Sequence, residues 1–285
     1  MRERPFNASG IQIAVLVFAV VFLAAPLQKY FGAWAAAVDI PQTIRRLFVF
    51  VPAIAILLAV PVIRRYCAAE LMSPIPRVSR LEVAGVSAFH ALLFPLAASG
   101  AIVLWHWSLG GEMALARRLG QQQTAQVAWT SATSVDGILL FVLTALVAPI
   151  VEELVFRGML FRTWEAEWGR FKAIIATSIV FAAYHPLPFV TFCSSLIITS
   201  LYARTRSIRA CIVVHALFNG LMWYPLFGQY VFRIAGKETG EIELWTLHLA
   251  MLALLVAALP VYLWMARDSE GTTSLLPDDC AAARS

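Results

Sequence analysis

The chain has 285 residues, 60% of them hydrophobic and 14% charged, with a formal net charge of +5. Soluble domains carry about 25% charged residues, so this composition and a mean hydropathy of +0.76 exclude a soluble globular domain and predict an all-α polytopic membrane bundle. The apolar runs are too long and continuous for the ~10-residue alternating strands of a membrane barrel, and no basic stripe with interleaved aromatics offers a nucleic-acid groove.

In chain order, Met1-Arg-Glu-Arg followed by Ile11–Pro26 resembles a signal peptide, but it is read as an uncleaved first span because further spans follow. About eight transmembrane helices are predicted, near 11–27, 46–63, 82–104, 135–161, 173–185, 189–203, 208–224 and 244–266. The fifth and sixth are short for a hydrocarbon core of ~30 Å, which suits helices lining a protein-enclosed polar cavity. Residues 1–105 form N-terminal membrane spans. Residues 106–133, with Gly110-Gly111, Arg117-Arg118 and Gln121–Gln123, read as an extramembrane loop with a short amphipathic helix. Residues 134–266 form the bundle that holds most intramembrane polar side chains, with its core at 135–224. Residues 267–285 read as a disordered cytoplasmic tail.

With the N-terminus in the cytoplasm, the Lys and Arg of the inside loops outnumber those outside about twofold, so both termini are placed in the cytoplasm. Arg45 and Arg46 run against that rule locally. The expected location is an integral position in a bilayer, a bacterial inner membrane. Arg204, Arg206 and Arg209 read as topology charges near headgroups, and His106 and His248 as interfacial residues beside tryptophans. His90 reads as a core or interface histidine. The cysteines Cys67, Cys193, Cys211 and Cys280 show no CxxC spacing, so neither a zinc ribbon nor a redox pair is signalled.

The informative residues are polar ones in apolar runs, where an ionisable group costs at least about 2.5–3.5 kcal/mol. Glu152 and Glu153 are adjacent, and Arg157 lies four residues after Glu153, on the same helical face. That pair holds its helix, while Glu152, ~100° around, has no Arg at the same spacing and is the candidate general base. Pro149 removes a backbone donor just before the pair, and a kink there opens space for water. His185 stands before Pro186, at a helix end, where it either caps the helix or helps a carboxylate to deprotonate water. His215 and Asn219 share a face four residues apart; they donate to an oxyanion, or His215 ligates a metal, or both only join helices.

Glu152-Glu153-x-x-Phe156-Arg157, Phe181-x-x-x-His185 and His215-x-x-x-Asn219 occur in this order, each on its own predicted helix. This set resembles the CPBP family of intramembrane proteases, which includes the CaaX prenyl protease type 2 and the bacteriocin-processing, or Abi, proteins. The resemblance covers about residues 135–224. It implies an eight-helix bundle with endopeptidase activity, in which Glu152 and His185 activate water, and His215 and Asn219 stabilise the tetrahedral oxyanion. Glu153 belongs to the same catalytic set, with Arg157 and Phe181 as support. The family is often labelled metalloprotease, although a metal-free glutamate mechanism is also argued for it. No HExxH pair is present; zinc is left open, with Glu152, His185 and His215 as the residues that would hold it. The implied partner is a membrane-anchored or hydrophobic peptide or protein.

Two other classes use similar residues. A proton-coupled transporter would also bury Glu and His, but would show inverted repeats with paired broken helices, and no such symmetry is seen. A non-catalytic scaffold or immunity protein on the same fold would tolerate loss of Glu152.

Overall fold

The computed structural model describes residues 54–55, 58–59, 61–73, 75, 80–130, 135–183, 185, 188–223 and 242–268. The first span predicted at 11–27, the start of the second and the tail beyond Asp268 lie outside them. The described residues are helical almost throughout and include no strand. Their helices are α1 (Pro61–Met72), α2 (Arg80–Ala88), α3 (Phe94–Thr130), α4 (Val135–Val142), α5 (Ala148–Glu153), α6 (Arg162–Trp168), α7 (Arg170–Ala183), α8 (Pro188–Thr205), α9 (Ile208–Trp223) and α10 (Thr246–Asp268). A 3₁₀ turn, Ile242–Trp245, leads into α10.

Three wide π turns join some of these into longer rods: Phe89–Leu93 links α2 to α3, Leu143–Val147 links α4 to α5, and Leu154–Phe161 links α5 to α6. The predicted span 135–161 is therefore one continuous helical path. Pro149 does not break it, because the π turn just before it has already changed the hydrogen-bond register.

Among the described residues two helices are long and apolar enough to cross a membrane, Arg80–Ala114 and Thr246–Arg267, and Ile208–Leu221 is a shorter apolar helix. Over 106–133, where the sequence suggests a loop with a short helix, the backbone is helical to Thr130, with a break at Gly110–Gly111, where Gly111 takes φ 62°. The polar stretch Ala114–Gln123 is rich in Ala, Leu, Arg and Gln, which favour helix even without an apolar face.

At 14 and 18 residues, α7 and α8 are short. They pack along each other and carry many of the most buried side chains, Ala173, Ile174, Phe181, Ile198, Leu201 and Tyr202 among them. The main core joins them to α5, α6 and α9, so the short helices lie inside the bundle.

α3 and α10 also pack closely along each other. Gly100 makes this possible: a Cβ there would lie 2.4 Å from the carbonyl oxygen of His248. His248, expected at the interface, is fully buried, its ring against Trp245. Gly100→Val is expected to destabilise the protein by about 3 kcal/mol through overpacking against backbone. A melting curve in detergent unchanged from wild type would refute this account of the contact.

Arg204 and Arg206 are not lone topology charges. Arg204 pairs with Glu82 across 122 positions, and Arg206 donates to Glu165 at 2.6 and 2.7 Å, while Arg170 reaches the same carboxylate at 2.8 Å. Arg206 ends α8 with φ 53°, and its N–H closes the helix on the Tyr202 carbonyl at 2.8 Å. That conformation is uncommon for a residue with a Cβ, and the two bonds to Glu165 help to hold it. Glu70 and Arg162 pair at 2.5 Å beside Tyr66, which ties α1 to the path leading out of the acidic pair.

Candidate functional site

Arg157 is fully buried in the π turn Leu154–Phe161. Its Nη1 donates to Glu153 Oε1 at 2.9 Å, Nε to Thr199 Oγ1 at 3.2 Å, and Nη2 to Ser195 Oγ at 2.8 Å. The guanidinium also lies 4.6 Å over the ring of Phe181. A buried cation is tolerable only when its donors are matched in this way, and the i,i+4 spacing to Glu153 supplies the charge partner.

Glu153 is equally buried and accepts a second bond at the same oxygen, from His215 Nδ1 at 2.8 Å. A carboxylate oxygen only accepts here, so Nδ1 carries the proton and Nε2 is turned to the other side of the ring. There it faces Glu152 Oε2 at 3.8 Å, with the Glu152 side chain 13% exposed. One histidine thus spans two adjacent carboxylates, the first locked by Arg157 and the second partly exposed.

His185 lies just after α7, its backbone N–H bonded to the Ala182 carbonyl at 3.0 Å. Its Nδ1 is 2.7 Å from the Phe181 carbonyl, so Nδ1 donates and Nε2 is the basic nitrogen. Glu152, His215 and Arg157 are all within electrostatic reach of this ring. Phe181 is the hub: its ring lies 4.6 Å from His185, 6.1 Å from His215 and 4.9 Å from Phe156. The motif phenylalanine packs between the cation and both imidazoles and fixes their spacing.

Asn219 Nδ2 donates to the Thr144 carbonyl at 3.0 Å. The reason is in the π turn below it. Ala148 N–H is given to Leu143 O, five residues back, and the next residue, Pro149, has no N–H to offer Thr144. Asn219 supplies the donor that Pro149 lacks. One amide proton is used in this way and the second remains for another acceptor.

All the residues singled out in the sequence, Glu152, Glu153, Arg157, Phe181, His185, His215 and Asn219, come from three stretches of chain that pack together. Ser195 and Thr199, which hold Arg157, and Thr144, which orients Asn219, give no sign in the sequence. Hydroxyls on apolar helices usually bond within their own helix, so their spacing is uninformative. Glu152, His185 and His215 do not form a metal-binding group; among the described residues no three His, Cys, Asp or Glu side chains are arranged to hold an ion. One nitrogen of each histidine is directed at Glu153 or the Phe181 carbonyl, which leaves Nε2 as the basic nitrogen of each ring; no chemical step below passes through a metal.

Residues 134–221 match the family described as Type II CAAX prenyl endopeptidase Rce1-like, which is a family of membrane-embedded proteases. The match names the CaaX side of the resemblance and not the bacteriocin-processing side. No curated protein and no solved structure matches the chain.

Proposed function

We propose that this chain, whose residues 134–221 belong to the CPBP and CaaX prenyl protease family, is an intramembrane endopeptidase that cleaves a membrane-anchored or hydrophobic peptide with a glutamate-activated water. The observation that carries this reading is the His215 ring held by buried Glu153 at 2.8 Å with Glu152 on its other edge at 3.8 Å. A gap of 3.8 Å is too long for a direct hydrogen bond, yet a water seated beside it at about 2.8 Å from each atom bridges the two.

Glu152 takes a proton from that water, assisted by the basic Nε2 of His185. The hydroxide attacks the peptide carbonyl carbon, and the oxyanion accepts hydrogen bonds from the second N–H of Asn219 and from His215 when its Nε2 is protonated. Collapse breaks the C–N bond as Glu152 passes the proton to the departing amine, which leaves one carboxylate and one amine product. Apolar walls strengthen each of these interactions by keeping bulk water out. The eight-span topology, with both termini in the cytoplasm of an inner membrane, belongs to this reading.

Two experiments test it. Terminal labelling of membrane proteins from wild-type cells and cells carrying His185→Ala should reveal at least one new terminus that the variant fails to produce. Identical terminal profiles would argue against a protease. Asn219→Ala should lower kcat by about 10²–10³ if its amide supports the oxyanion. An effect confined to KM would assign it to substrate binding instead.

A further inference from the structure

We infer that His90, 44 positions before the matched segment begins, is a positioning residue of the site, acting through Ser194 on one side and Phe218 on the other. The inference rests on the endopeptidase reading and extends it to a helix the motifs do not touch.

His90 is fully buried in the π turn Phe89–Leu93. Its Nε2 lies 2.7 Å from Ser194 Oγ. The ring stacks on Phe94 at 5.0 Å and tilts against Phe218 at 4.7 Å, and these two phenylalanines meet edge to face at 5.9 Å. Its other nitrogen, Nδ1, is buried with no hydrogen-bond partner. A buried, unpaired polar atom costs about 1–3 kcal/mol. Phenylalanine would fill the same aromatic stack without that cost, so packing alone gives no reason for an imidazole.

The contacts supply one. Ser194 is the neighbour of Ser195, whose hydroxyl accepts Arg157 at 2.8 Å, and Thr199 on the same helix accepts Arg157 Nε. The bond from His90 therefore sets the rotation of α8 that presents these two hydroxyls to Arg157. Phe218 is the residue before Asn219 and three after His215, so the ring contact restrains the turn of α9 that carries both. His215 and Arg157 both lie within electrostatic reach of the His90 ring, as expected of a group bordering the site. It bridges the helix that holds the cation and the helix that holds the imidazole and amide.

The test pairs His90→Phe, which keeps the stack and loses the bond, with Ser194→Ala, which loses the bond from the other end. Purified protein in liposomes is assayed on a lipid-anchored, quenched fluorescent peptide and, separately, by NMR of ¹⁵N-labelled histidine. Each substitution should lower kcat about tenfold with KM nearly unchanged, and the double variant should be no slower than the slower single one. His90→Gln, which can still reach Ser194, should recover part of the rate. The His215 ring-nitrogen signals should move in both single variants, and this reading needs no turnover. If wild-type protein cleaves nothing, the endopeptidase reading fails while the histidine signals still decide the role of His90. Unmoved His215 signals, an unchanged kcat in an active enzyme, or fully multiplicative losses in the double variant would each overturn the inference. Should His90→Phe fail to fold, Ser194→Ala alone carries both readouts.

Discussion

Glu152→Gln is expected to lower kcat by about 10²–10⁴, equivalent to about 3–5 kcal/mol of barrier, while leaving membrane insertion and thermal stability intact. Gln has the same shape and nearly the same volume, so the 13%-exposed position beside His215 is filled as before. What is lost is the ability to accept and then return a proton. Burying a neutral amide costs less than burying a carboxylate, so no folding defect should confuse the result. The neighbouring Glu153→Gln should behave differently. It would weaken the bonds to Arg157 and to His215 Nδ1 and should lower stability and activity together. If both substitutions had the same modest effect on rate, the division of labour between the two carboxylates would be wrong.

The second large effect is structural. Arg157→Leu should destabilise the bundle by about 3–5 kcal/mol, because removal of one partner leaves the other charge buried and uncompensated. Glu153 is fully buried and one of its oxygens already lacks a partner. The Ser195 and Thr199 hydroxyls would lose their donor, and Phe181 the cation above its ring. Adding Glu153→Leu should restore much of the stability, since well-packed apolar residues often replace a buried ion pair at little cost. Activity should not return, because His215 would then lack the carboxylate that fixes its Nδ1. Melting temperatures in detergent for both variants decide the point: an Arg157→Leu protein as stable as wild type would show that the pair holds nothing.

Much of the bundle could be read in the sequence because a long apolar run has few alternatives to a helix. The paths 135–161, 173–185, 189–203 and 208–224 lie within a few residues of the observed helices. The spacing of Glu153 and Arg157 likewise dictated their contact at 2.9 Å. The π turns were not legible: a change from i+4 to i+5 bonding leaves no mark in an apolar run, and it decides that Asn219 serves the Thr144 carbonyl. Nor could any spacing relate His90 to Ser194, 104 positions away. The ion pairs of Arg204 and Arg206 escaped notice for a similar reason, since topology rules weigh each cation by its loop and not by the carboxylate a distant helix brings to it.

Four side chains from three stretches of chain, Glu152, His185, His215 and Asn219, are proposed to hydrolyse a peptide bond within the bilayer. The most direct measurement places purified protein in liposomes with a lipid-anchored peptide in H₂¹⁸O and weighs the products. Two fragments are expected, one ¹⁸O in the new carboxyl terminus, and no such fragments from Glu152→Gln. Intact peptide after incubation with the wild-type protein, or equal cleavage by the Glu152→Gln variant, would contradict it; proton flux in the same liposomes without cleavage would point to a transporter.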